Sequence, residues 1–498
     1  MGSRSAPPAS GLPAILALRR HRVALRVADA ARAHGSPAHL VGGMVRDAWL
    51  GRPTQDVDAV VCGRGEEIAR RLAETLPARF VPLGGKEFAA FRLVGDGFGL
   101  DLWDREGMTV VEDLARRDLT VNALALNLHG DPLPESGEHP PDVDITAVVD
   151  PFGGLGDLEH RVLRATTPTS FTGDPLRVLR LPRLLSQLEG FRVAEATRAL
   201  ARRAVPGLSG IAAERIREEL LRLFAAEGAP RGLREMAGLG LYPGLFLGRP
   251  GDPGIAPGRA VPGAEMAAQE MEILPTAAER LTVLAETVGP EEMPAVDRAA
   301  ARWASAFLHL PATGGGGEVD PAHGVDGVLS LRELGYLGRR TAEPVLTLVR
   351  NPRPPPGGAG AATAITRRRA LHRLGPHWAT ALTWWGARVR APAVETGVQP
   401  GPRREGVGDR QAGWTAWEHV ARELLELVRN DGPWILDPPR LLTGDEVREL
   451  LGLPPGPELG SVLEGVRQAQ VDGRLRTREE ALDWLTGKSP RRTSSRHP

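Results

Sequence analysis

The sequence predicts an α+β chain: a small α/β domain with a mixed β-sheet over residues 13–150, followed by mostly α-helical segments. Three observations carry this. His39 to Val61 reads as an apolar strand, a glycine pair, a helix start and a second apolar strand. Three further short runs alternate or stay apolar like strands, and from Phe171 onward the readable segments have helical spacing.

In chain order, Ile15 to Ala33 is expected to form one amphipathic helix ending near His34-Gly35. Leu40 and Val41 make a strand that runs into Gly42 and Gly43, and Met44-Val45-Arg46-Asp47 starts a helix. After a Gly/Pro turn, a strand carries Asp56 and Asp58. Glu66 to Thr75 is a helix; Arg79 to Leu83, Glu87 to Leu93 and Phe98 to Trp103 are strands, so a βαβ-type unit followed by antiparallel strands is expected. Asp113 to Asn127 ends in a β-rich segment. Asp174 before Pro175 has the form of a helix N-cap with proline at the first helical position, and Ala213 to Phe224 is a strong amphipathic helix. Its arginines and glutamates are read as surface pairs.

Acidic and basic residues number 62 each, so no global basic field announces a polyanionic partner, and any such surface must come from local arginine clusters. Lysine occurs only at 86 and 488; arginine dominance with abundant Gly, Ala and Pro reflects base composition. The single cysteine, Cys62, excludes an internal disulfide and fits a reducing compartment. No apolar run approaches membrane-spanning length, and Leu12 to Leu18 lacks a following cleavage pattern. A cytoplasmic protein with no membrane association is expected.

The chemistry concentrates in HLVGGMVRDAWLGRPTQDVDAVV. Glycines at a strand-to-helix turn let backbone N–H groups approach a phosphate closely. Alternate residues of a strand face the same way, so Asp56 and Asp58 present two carboxylates side by side. Such a pair suits Mg²⁺ in two-metal phosphoryl chemistry, although an isolated DxD is more often a solvated strand edge.

GGMVRD followed by DVD resembles the head motif of the bacterial tRNA nucleotidyltransferase/poly(A) polymerase family (class II), which extends RNA 3′ ends without a nucleic-acid template. The resemblance implies a nucleotidyltransferase head, then helical neck, body and tail, with Mg²⁺ held by Asp56 and Asp58. Gly42, Gly43 and Arg46 would then belong to the triphosphate site. It raises the odds that Asp101, in Leu100-Asp101-Leu102, supplies a third carboxylate rather than lining an exposed strand face.

DLARRDLTVNALALN matches the family's DLxRRDxTxNA motif, with Leu119 where phenylalanine is common. By that match Arg117 contacts the nucleotide while Asp118 and Asn122 shape the site; guanidinium forks suit phosphate oxygens. In FTGDPLRVLRLPRLLSQLEGF, Asp174, Arg177 and Arg180 share one helical face and Arg183 lies farther round. On residues alone this is a capped, solvated basic face. The family uses the segment as an amino-acid template, so Asp174 and Arg177 would select the incoming C or A, supported by Arg180 and Arg183. Gly173 replaces an acid common there, and Pro182 is expected to kink the helix.

Between Asp101 and Asp113 only LWDREGMTVVE intervenes, shorter than in many members; the longer segment is associated with the switch from adding C to adding A. Asp297 to Asn351 resembles an HD-type phosphohydrolase region that has lost its metal centre: His309 is followed by Leu310, His323 stands alone, and Pro352 replaces a histidine. Arg367 to Arg373 starts a helix that either touches RNA phosphates or is a solvated face. Trp414 to Leu485 resembles the tRNA-holding C-terminal module, with Gly444-Asp445 as a cap. Expected boundaries are a disordered 1–12, head 13–150, neck 151–250, body 251–392, linker 393–413, tail 414–487 and a basic disordered 488–498.

The resemblance implies CCA addition to tRNA from CTP and ATP. CC-only addition and poly(A) synthesis remain as enzymatic alternatives, and a non-catalytic RNA-binding relative as one of another class; oligomeric state stays open.

Overall fold

The computed structural model describes residues 11–54, 56–83, 89–129, 147–241, 262–290, 292–308, 325, 328–329, 337–356, 360–390 and 407–487. His309, Leu310 and His323, on which the hydrolase reading turned, lie outside these residues, as do the expected terminal tails apart from residues 11 and 12. The chain divides into two units: residues 1–181 with 188–211, and residues 182–187 with 212–498.

The first unit opens with two helices, α1 (Leu12–Ala17) and α2 (Arg22–Ala33), where one was expected. A 3₁₀ turn over Leu18–Arg20 and extended backbone at His21 interrupt the run. The strand runs then assemble one seven-stranded sheet. Its members are β1 (Ala38–Val41), β2 (Asp56–Val61), β3 (Arg79–Pro82), β4 (Ala89–Gly95), β5 (Phe98–Asp104), β6 (Ala125–Asn127) and β7 (Val148–Val149), in the order β3-β4-β5-β2-β1-β6-β7.

The expected βαβ unit needs correction. Helix α3 (Gly43–Trp49) connects β1 to β2, yet these strands pair antiparallel, Leu40 opposite Ala59. The parallel neighbour of β2 is β5, with Asp58 opposite Asp101 and Val61 opposite Asp104. Asp104 secures that junction. Its carboxylate accepts from the N–H groups of Gly63 (2.7 Å) and Gly65 (2.8 Å), where α4 (Gly65–Thr75) begins. Helix α5 (Val110–Ala115) follows, started by a capping box between Thr109 and Glu112. Val110 and Leu114 of α5 pack over Val41, Val60 and Ala125, covering part of one sheet face.

After β7, Asp150 accepts from the backbone of Gly154 and Leu155 to start α6 (Gly154–Glu159). The Asp174 segment then forms a 3₁₀ helix, Pro175–Leu179, before turning α-helical over Arg180–Gln187 (α7). Asp174 is its N-cap, accepting from Leu176 N–H, and Pro175 takes the first position, as the sequence indicates. Pro182 falls in the first turn of α7, where a missing N–H costs little, so it does not interrupt a long helix as expected.

The second unit is helical. Trp303, Trp378, Trp384 and Trp385 are fully buried at its core, and two of these indoles donate hydrogen bonds, Trp384 to Ser305 Oγ and Trp385 to Asn351 O, both 2.9 Å. Glu219, on the helix Ala213–Ala225, is buried against Arg183 at 3.0 Å and is not a surface pair. Arg367 and Arg368 are buried against Glu423 and Asp431, while Arg369 is exposed and forks onto Asp472, so each arginine already has an acidic partner within the chain. Their helix begins at Ala361. The helix Val407–Leu436 starts within the stretch read as a connection. The last helices pack Leu442, Val447, Val466, Ala469, Leu475 and Ala481 together; the cap there is Thr443, with Glu446 completing a capping box, and not Gly444-Asp445.

Candidate active site

The site lies in the first unit, on the face of the sheet beside α5. Asp56 and Asp58 project to this face from β2, and Asp101 stands opposite Asp58 on β5. Gly99 stands opposite Asp56; a Cβ there would come within 3.2 Å of an Asp56 oxygen, so the glycine keeps space for that carboxylate. Gly42, at the end of β1, adopts φ +74. Its missing side chain leaves room for Arg117 and Asp58: a Cβ would meet Arg117 Nη1 at 2.8 Å and an Asp58 oxygen at 3.5 Å. The glycine turn, one acid and one guanidinium therefore share one small volume.

Arg117 is aimed by Asp113, one helical turn earlier, whose Oδ2 accepts from Nε (3.4 Å) and Nη2 (3.2 Å). The i, i+4 spacing of these two residues carried that signal in the sequence. Burial pushes the Asp58 carboxyl up; Arg117 opposes this while Asp101 and Asp56 add to it, and the group settles at about 6. A divalent cation bound to this carboxylate would displace that proton, so its apparent affinity for the protein would rise with pH and level off above about 6. Calorimetric titration from pH 5 to pH 8 checks this, and Asp58→Asn should flatten the profile.

Around this centre the motif residues form one chain of contacts. Arg46 forks onto Asp47 (3.0 and 2.9 Å) and donates through Nη1 to Asn122 Oδ1 at 2.7 Å. Asn122 donates to Asp118 (3.1 Å), and Asp118 accepts from Arg180 (3.1 Å) and from Leu119 N–H (2.8 Å). Burial would raise Asp118, but the Arg180 charge and the three donors from Asn122, Arg180 and Leu119 outweigh it, leaving the carboxyl at about 2. Asp118 is thus a buried anionic node between the strand-to-helix motif and the 3₁₀ segment. Gly43 gives clearance to Arg46, whose Nη2 lies 3.4 Å from a would-be Cβ.

Asp174 caps the 3₁₀ helix from extended backbone and Arg177 lies within it, close enough for the two charges to interact. Arg177 donates to Ser170 O at 3.0 Å and keeps a buried Nε with no acceptor. Arg183 falls in the second unit with Glu219. Asp101 is held differently from a bare third acid: Arg92 of β4 forks onto both its oxygens at 2.7 Å. Arg92 and Asp113 are residues that motif reading passed over.

Among the described residues no three acidic, histidine or cysteine side chains converge as a closed metal cage. Asp56 and Asp58 alone suit an ion that takes one or two carboxylates and completes its shell with water and phosphate oxygens. The Asp58 carboxyl, raised by burial and by its acidic neighbours Asp101 and Asp56, fits such an ion.

The family model described as "Poly A polymerase head domain" matches residues 38–98 and 87–164, and the one described as "Probable RNA and SrmB- binding site of polymerase A" matches residues 190–255. A "CC-adding tRNA nucleotidyltransferase" of Geobacter sulfurreducens is 32% identical over 464 residues, 93% of this chain and 94% of that one. The chain belongs to the tRNA nucleotidyltransferase/poly(A) polymerase family. Within that family, a "Multifunctional CCA protein" of Aromatoleum aromaticum is 38% identical over 195 residues, 37% of this chain and 44% of that protein. The fold is that of the CCA-adding enzyme of Bacillus stearothermophilus solved in complex with CTP, with a TM-score of 0.59 and 22% identity over 94% of this chain and 97% of that one. The family uses a divalent metal.

Gly42 gives a direct test of the shared volume. Gly42→Ala should cost about 1–3 kcal/mol from the backbone alone, since φ +74 with ψ -135 is a conformation essentially reserved for glycine, read as a lower denaturation midpoint. It should also raise the KM for the nucleotide more than that for the polynucleotide, because the new methyl displaces Arg117.

Proposed function

We propose that this chain is a template-independent tRNA nucleotidyltransferase that builds the C-C-A end from CTP and ATP with Mg²⁺. The observation that carries the reading is the meeting of Gly42, Arg117 and Asp58 within one side chain's reach. Asp56 and Asp58 would hold Mg²⁺, which would supply acidification of the RNA 3′-hydroxyl and neutralisation of the triphosphate. The glycine turn, Arg46 and Arg117 bracket the triphosphate. The 3′-hydroxyl gives up its proton to solvent water, its oxygen bonds to the α-phosphorus, and the bond from the α-phosphorus to the α,β-bridging oxygen breaks, releasing pyrophosphate. Catalysis by this chain's own residues is positioning and charge stabilisation.

Asp174 and Arg177 read the base edge: a carboxylate accepts from an amino group and a guanidinium donates to ring acceptors. Asp118 and Asn122 fix Arg180 and Arg46 in place. Residues 13–150 serve as head, 151–250 as neck, 251–392 as body and 414–487 as tail, and the enzyme works in the cytoplasm on tRNA.

A second reading, addition of two cytidines only, is favoured by one observation: residues 105–109 alone connect β5 to α5. Incubating the full chain with tRNA that ends before C-C-A, with CTP and ATP separately and together, separates the readings. Full CCA addition gives two added nucleotides with CTP and three with both. CC-only addition gives two in either case, and a poly(A) polymerase extends with ATP alone. No product under any condition rejects the enzyme.

A further inference from the structure

The sheet face that carries the acids continues past them onto β4 and β5, and its residues there are not explained by nucleotide binding. Trp103 lies two residues beyond Asp101 on β5, hence on the same face, about 7 Å along the strand. It is 42% exposed, a costly place for an indole. Its cross-strand partner on β4 is Ala90, a small residue that is buried, and the next position outward is Leu83, 47% exposed, whose N–H donates to Ala90 O at 2.8 Å. Trp103 and Leu83 therefore flank a small central residue and form an apolar shelf on the sheet surface.

One residue pair back toward the acids stands Arg92, opposite Asp101. Its side chain is half exposed, and the fork onto Asp101 uses Nε and one Nη2 proton, leaving Nη1 directed by a rigid partner and outside the fork. An exposed indole next to an oriented guanidinium, bordering a carboxylate pair, is the chemistry that holds one nucleotide of a single strand: a stacking plane for the base and a cation for its phosphate.

We infer that Arg92 and Trp103 seat the 3′-terminal nucleotide of the RNA being extended, the base on Trp103 and its 5′-phosphate on Arg92, so that its 3′-hydroxyl faces Asp58. This rests on the reading of the chain as an RNA 3′-end transferase. Asp101, with both oxygens taken by Arg92, is on this account a positioning residue for the guanidinium.

The test is steady-state CTP incorporation by the full chain into tRNA ending before C-C-A, and into the same RNA with an abasic terminal nucleotide. Trp103→Ala should raise the KM for the normal RNA about tenfold and leave the KM for CTP unchanged, while Trp103→Phe restores most of the loss. With the abasic RNA, wild type and Trp103→Ala should be equal, because the base that the indole holds is gone. Likewise, replacing the terminal phosphate by an uncharged methylphosphonate should weaken RNA use by wild type and not by Arg92→Gln. Equal KM values for normal RNA in wild type and Trp103→Ala overturn the inference. So does a Trp103→Ala defect of the same size on both RNAs, since that marks a structural role. If wild type transfers nothing to any RNA, the functional reading falls and takes this one with it; transfer by wild type with an indifferent Trp103→Ala removes this one alone.

Discussion

Asp58→Ala is expected to lower CTP incorporation by about 10³-fold or more while tRNA binding stays near the wild-type level. Asp58 is the acid that touches the most of the site: Asp101 lies opposite it, Asp56 beside it, and the Gly42 turn and Arg117 close to it. Removing it takes away one of the two carboxylates proposed to hold the metal, together with a negative charge near Arg117, which keeps its ion pair with Asp113. Because burial raises its carboxyl, the folded metal-free protein prefers that group neutral, so the substitution should leave stability unchanged or raise it slightly. A filter-binding assay beside a single-turnover assay separates the two effects. Incorporation near the wild-type rate would reject the assignment.

Asp118→Ala should be the most destabilising of the motif substitutions, and for a different reason. The carboxylate is almost wholly buried and is the shared acceptor of Arg180, Asn122 and Leu119 N–H. Truncating one partner of a buried pair strands the other charge, at a cost of about 3–5 kcal/mol; Arg180 is a third exposed and recovers part of that through water, so the lower end is expected. Chemical denaturation reads the loss, and a midpoint within experimental error of wild type would contradict it. The pH dependence has a definite sign. The folded group sits at about 2, below an unfolded carboxylate near 3.8, so its stabilising contribution is complete above about pH 4 and is lost as pH falls through 2. From the size of that shift the contribution is about 2 kcal/mol.

The two substitutions also mark what the residues alone could convey. Gly42, Asp56 and Asp58 could be picked out because their geometry is local, a glycine strand-to-helix turn and alternate positions on a strand, while Arg117 came from the likeness to the family motif and its aiming by Asp113 did not. Cross-strand pairing was not readable. That Asp101 meets Arg92 depends on the register of β4 and β5, and that β1 runs antiparallel to β2 depends on how α3 closes, neither of which leaves a mark in a short motif. The arginine run at 367–369 misled for the same reason. Its acids come from 423, 431 and 472, too distant in sequence for any charge pattern to show that the run is spent internally.

The 3₁₀ geometry of Pro175–Leu179 has a consequence for which changes of length the chain can absorb. One residue more or less between Asp174 and Arg177 would swing the two side chains proposed to read the base apart by a third of a revolution. Insertions at 105–109, which join two elements without themselves reading anything, carry no such penalty. Drift in length over evolution should therefore collect at the second place and be absent from the first.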